Sequence, residues 1–164
     1  MTTHILGVDP GLTGAFALLN KTSKELTTYQ FSTYKTKGKN NLNAPEMAAW
    51  LDCHRNLIGH AFVEQVSSRP RQAGQFQFGI NTGVIHGMLY ANIVPWTLVP
   101  PQQWKFHFGL KRLETETYKD KKTDSRLLAA KLFPNNAAAF ARVKDDGVAE
   151  ASLIALYGVN QGKT

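Results

Sequence analysis

The apolar run His4–Asp9 (HILGVD) closes on a carboxylate, and Pro10-Gly11-Leu12-Thr13-Gly14 turns the chain at once into a second apolar run, Ala15–Asn20 (AFALLN). Short apolar runs bounded by Pro and Gly read as paired core strands, and residues 25–31 continue them as the third strand of a meander. Helical spacing takes over at residues 44–57, with Asn43 as cap, Met47, Ala48, Leu51 and Leu57 on the apolar face, and Cys53 half-buried in the same stretch. A strand at 60–66 (HAFVEQV), a helix at 76–93, a short strand at Trp96–Val99 and helices at 102–110, 124–133 and 147–159 complete the pattern. The Lys/Gly/Asn-rich stretch 34–43 and the polar stretch 111–123 read as mobile loops. This order predicts one domain over residues 1–164, an α/β fold with a mixed five-stranded sheet flanked by helices.

Gly79, Gly83 and Gly87 recur at every fourth position of the 76–93 helix, although each costs about 1 kcal/mol relative to alanine. With Ile80, Val84, Met88 and Ala91 they offer a smooth stripe for close approach of another backbone. That backbone is either a second copy of the chain or the domain's own sheet.

Four carboxylates stand where a core would exclude them. Asp9 ends a buried strand, and Glu64 lies inside the apolar run Ala61-Phe62-Val63-Glu64-Gln65-Val66. A carboxylate in such a place is costly unless paired or metal-bound. Asp146 and Glu150 are spaced i,i+4 and share one helix face, flanked by the small Ala149 and Ala151. An all-carboxylate set is a hard-oxygen site suited to Mg2+, with Mn2+ as substitute. Two such ions per site could activate a water and stabilise the leaving 3′ oxygen of a phosphodiester. His54, His60, His86 and His107 lack metal-ligand spacing, and the single Cys53 excludes a disulfide or a cysteine zinc site.

The formal net charge is +7, but its distribution says more: twelve Lys and Arg face four Asp and Glu between residues 65 and 144. The rest of the chain is close to neutral. A basic half beside isolated carboxylates fits a phosphate-bearing partner. No apolar run approaches the roughly 20 residues a bilayer needs, and Met1-Thr2-Thr3-His4 lacks signal-peptide features. A cytoplasmic protein without membrane contact is expected.

These residues resemble a known family. Gly7-Val8-Asp9-Pro10-Gly11 followed by Thr13-Gly14-Ala15 looks like the first-strand motif of RuvC-like Holliday junction resolvases, within the ribonuclease H-like superfamily. Phe62-Val63-Glu64-Gln65-Val66 resembles their fourth-strand motif, whose glutamate binds metal. Val99-Pro100-Pro101-Gln102-Gln103-Trp104-Lys105 is similar to their short strand and Pro–x–x–Trp–Lys turn. Asp146-Gly147-Val148-Ala149-Glu150-Ala151, then Leu153-Ile154-Ala155, resembles the catalytic helix of the phage branch, so the likeness runs from about residue 4 to 158.

The resemblance implies a homodimer that binds four-way and other branched DNA and nicks it symmetrically with divalent metal, in the host cytoplasm if phage-encoded. Asp9, Glu64, Asp146 and Glu150 would be both catalytic residues and metal ligands. Two departures stand out: the last acid is Glu150 where bacterial members usually carry aspartate, and it lies four rather than three residues from Asp146. Asp145 is an alternative to Asp146.

For DNA contact the candidates form two groups. Arg69, Arg71, Gln72, Gln75 and Phe76 follow Glu64 directly, where arginines can clamp phosphates and an exposed phenylalanine can stack on unpaired bases. Phe76 and Phe78 fall on opposite sides if extended, and the family's use of this segment at the junction centre favours Phe76. Lys105, Lys111, Arg112, Lys119, Lys121, Lys122 and Arg126 would add affinity without sequence information. Trp104 is expected to pack under the active-site rim. The Asp-Pro-Gly-Leu-Thr-Gly opening also suits ATP-handling proteins of the actin type, but the second lobe and phosphate loop they need are absent. A nuclease for RNA–DNA hybrids or structured RNA, or a junction binder that does not cut, are the remaining alternatives.

Overall fold

The computed structural model describes residues 2–67, 74–110 and 118–162, with the backbone alone at 118–123. β1 (His4–Asp9), β2 (Ala15–Asn20) and β3 (Leu26–Gln30) form the antiparallel meander, with Asp9 opposite Ala15 and Ala15 opposite Gln30. β4 (Thr33–Thr36) and β5 (Lys39–Leu42) form a separate hairpin. β6 (Ile58–Glu64) runs parallel to β1, and β7 (Trp96–Val99) parallel to β6. The main sheet is therefore mixed and five-stranded, in the order β3-β2-β1-β6-β7. Because β1, β6 and β7 share a direction, Asp9, Glu64 and Val99 all finish at one rim.

Strand alternation sends side chains to two cores. Ile5 and Phe62 face α5 (Asp146–Asn160), α4 (Tyr118–Leu132) and α3 (Pro101–His107), packing among Trp104, Ala129, Leu153 and Ile154. Leu6, Val8, Ala61 and Val63 face α1 (Ala44–His54) and α2 (Gln75–Ala91), through Met47, Leu51, Ile85 and Leu89. α5 lies unusually close to β1. A Cβ on Gly7 would sit 2.1 Å from the Ala151 carbonyl oxygen, and one on Gly147 would sit 2.1 Å from that of Thr13. Only glycine at these two positions permits the approach. Among the described residues no helix is long and apolar enough to cross a membrane.

Several expectations from sequence are corrected. Residues 34–43 are not a loop but most of the β4–β5 hairpin, closed by a two-residue turn in which Lys37 (φ 48°) and Gly38 (φ 77°) both take positive φ. Such a turn matches the twist of paired strands, and Leu42 anchors the hairpin in the core. Residues 118–123 belong to α4 rather than to a loop; residues 111–117 lie outside the described residues. Cys53 is exposed, because Met47 and Leu51 define the buried face of α1 and Cys53 points away from it. Leu57 is exposed too, since α1 gives way at Arg55 to a tight turn that puts Ile58 inside instead. Gly79, Gly83 and Gly87 do not meet the domain's own sheet: among the described residues a Cβ on any of them finds nothing within 4 Å, while Asn81, Ile85 and Leu89 form the buried face.

Candidate active site

The rim where β1 and β6 end carries the sequence-predicted carboxylates. Asp9 closes β1, and its Oδ1 accepts the Gly11 N–H at 3.2 Å, so the turn that reverses the chain also fixes the carboxylate. Glu64 closes β6. Its Oε1 accepts the indole N–H of Trp104 at 3.0 Å, and Trp104 is fully buried in α3, which starts directly after β7. A buried tryptophan seeks a partner for its one polar atom, and here the partner is the strand-end carboxylate. The next residue, Lys105, places its ammonium 3.2 Å from Glu150 Oε1 and 4.9 Å from the Trp104 ring centre. One turn of α3 thus braces two carboxylates held by different elements.

α5 supplies the other half. Asp146 is its first residue and is buried; Glu150 lies one turn on. The alternative acid, Asp145, is occupied elsewhere: Arg142 grips it through its guanidinium, at 2.8 Å from Nη2 to Oδ1, and through its backbone N–H. That grip holds Asp145 below the usual carboxylate range against the opposing effect of burial. Asp146 has the position from which its charge is felt at Asp9.

The four acids act on one another. Burial raises the Asp9 carboxyl well above its ordinary range, and the charges of Glu150, Glu64 and Asp146 push it further against the pull of the Gly11 N–H. Burial and then Glu150 raise Glu64 to about 7, while Lys105 and the Trp104 N–H pull it down. Four carboxylates from residues as far apart in sequence as Asp9 and Glu150 therefore share one electrostatic neighbourhood, braced by Lys105. Such an excess of negative charge is relieved by protons or by a cation. The donor set is all oxygen and fits a hard divalent ion. As the side chains stand, no three His, Cys, Asp or Glu among the described residues enclose a metal position.

The other sequence candidates divide. Phe76 is 84% exposed near the start of α2, whereas Phe78 is half-buried. Gln75 is half-buried at the first position of that helix. Lys105 lies beside the carboxylates, paired with Glu150. Arg126 is half-buried and donates to the Ala141 carbonyl at 3.2 Å. Arg69, Arg71, Gln72, Lys111 and Arg112 lie outside the described residues, as do the side chains of Lys119, Lys121 and Lys122. Sequence reasoning placed Trp104 under the rim but missed its bond to Glu64. The signal was a tryptophan one turn into a helix that leaves the same sheet rim.

No family model and no curated protein matches the sequence. Solved structures do match in architecture. Thermus thermophilus RuvC bound to a Holliday junction substrate superposes with a TM-score of 0.59 at 15% identity, over 93% of this chain and 90% of that one. The fowlpox virus Holliday junction resolvase gives 0.54 at 17% identity, over 96% and 99%, and Thermus thermophilus RuvC alone gives 0.51 at 18%, over 97% and 96%. The protein has the RuvC-like resolvase fold.

Proposed function

We propose that the protein is a structure-selective DNA endonuclease that cuts four-way junctions with the help of divalent cations. The observation that carries this reading is the convergence of Asp9, Glu64, Asp146 and Glu150 on one rim, close enough that each of the last three raises the Asp9 carboxyl. The likeness in fold to resolvases, one of them bound to a junction, supports the choice of branched DNA.

Mg2+ or Mn2+ held by the four carboxylates would supply an activated water and charge stabilisation for the leaving oxygen. The chain's own residues do the positioning. The Gly11 N–H fixes Asp9, the Trp104 N–H fixes Glu64, and Lys105 holds Glu150 and offsets part of the local negative charge. Phe76, exposed beyond β6, is set to stack on a base at the branch point. A homodimer would pair through the exposed glycine stripe of α2, which nothing among the described residues covers.

The test is cleavage of a synthetic four-way junction in Mg2+, beside linear duplex, RNA–DNA hybrid and flap substrates. Asp9→Asn is expected to abolish cutting and leave junction binding largely intact. Full cutting by that variant would remove Asp9 from the mechanism, and preferential cutting of the hybrid would reassign the substrate.

A further inference from the structure

Residues 31–43 contain three lysines and no acid. They leave the sheet at the end of β3, which lies opposite the start of β2 and so at the rim that carries Asp9. The base of the hairpin is tied to that rim: the Phe31 N–H donates to the Gly14 carbonyl at 2.9 Å, and Asn43 closes on Ser32 at 2.9 Å. At the end of β3 itself, the Gln30 side-chain amide donates to the Lys144 carbonyl, just before α5, at 2.7 Å. The nearest acid in sequence, Glu46, is held at the base by Ser32 and Asn43. From there the two four-residue strands project by about 13 Å at roughly 3.3 Å per residue.

Beyond the base, every residue from Thr33 to Asn40 is exposed, including Tyr34, Lys35, Lys37 and Lys39. Lys35, Lys37 and Lys39 form no ion pair among the described residues. Lys35 stands opposite Asn40 and Lys39 opposite Thr36, so these two lysines lie on opposite faces, with Lys37 at the tip between them. A charged arm that forms no ion pair among the described residues, rooted beside the carboxylate rim, suits a polyanion running past that rim.

We propose that the β4–β5 hairpin is a phosphate-binding arm that grips the duplex flanking the scissile position through Lys35, Lys37 and Lys39. This rests on the nuclease reading and extends it to a surface distinct from the carboxylate rim. The contact is to backbone phosphates, so it adds affinity on any duplex arm and no sequence preference. Each phosphate contact made by a lysine releases counterions and steepens the salt dependence of binding.

The test is the full-length triple variant Lys35→Gln/Lys37→Gln/Lys39→Gln, with binding measured in EDTA as a function of salt on a four-way junction and on linear duplex. A melting temperature equal to wild type checks that the exposed substitutions leave the fold intact. The slope of log affinity against log salt is expected to become shallower by about 2 to 3 on both DNAs. A change below about 1 would overturn the proposal and assign the lysines to protecting exposed strand edges from pairing. If wild type binds and cuts junctions while the slope is unmoved, the arm alone is refuted. If wild type binds no DNA, the nuclease reading falls with it.

Discussion

Replacing Glu64 with glutamine tests whether the rim is held together against its own charge. The side chain keeps its shape and its oxygen can still accept the Trp104 N–H, but the charge is gone. In the fold Glu64 titrates at about 7 rather than its ordinary 4.5, first through burial and then through Glu150. A carboxyl whose folded value is raised destabilises the fold once it ionises. The cost is nearly absent at about pH 4.5, grows through pH 5 to 7, and is complete above about 7. At about 1.36 kcal/mol for each tenfold change, the full cost is up to about 3 kcal/mol. For a chain of this size that corresponds to a melting-temperature difference of about 6 to 12 °C. Thermal unfolding in EDTA at pH 8 should therefore show Glu64→Gln melting above wild type, with the two converging near pH 4.5. Saturating Mn2+ should narrow or reverse the gap, because a ligand that binds only the folded site stabilises wild type by about 2.7 kcal/mol at a hundred times its Kd. A variant that melts at or below wild type at pH 8, or by the same margin at both pH values, would refute the account of the rim.

Trp104→Phe keeps most of the buried ring and removes the donor to Glu64. It should lower kcat and Mn2+ affinity by about ten- to a hundredfold, with junction Kd unchanged; free Mn2+ read by electron paramagnetic resonance gives the affinity, and an unchanged value would make Trp104 a packing residue only. Phe76→Ala should leave the melting temperature unchanged, as expected for a side chain 84% exposed, and weaken junction binding by about 1–3 kcal/mol without affecting linear duplex. Equal loss on both DNAs would show that Phe76 does not read the branch point.

The core strands were legible, and so was the proximity of the four acids, because their signals are local. Asp9 and Glu64 are charges in apolar runs, and Asp146 and Glu150 share a helical period. The engagement of Asp145 by another partner was not legible, since it depends on Arg142 reaching forward three residues to claim it. The hairpin was hidden for two reasons. Its Lys, Asn and Gly content argues against strands, and only the Lys37–Gly38 turn betrays it. Its charge also vanished in the total, because three lysines at 35–39 are cancelled by the acids of the active site when the chain outside residues 65–144 is summed. The glycine stripe was visible as a repeat, but which side of α2 it occupies follows from the burial of Asn81, Ile85 and Leu89.

The contact of α5 with β1 through Gly7, and with the turn after β1 through Gly147, has a consequence for how the four acids tolerate change. At Gly7 and Gly147 the helix meets main-chain atoms of the strand and turn directly. A single methyl at Gly7 would meet the Ala151 carbonyl and the Ala155 backbone, so it would wedge α5 from β1 and move Asp146 and Glu150 away from Asp9 and Glu64.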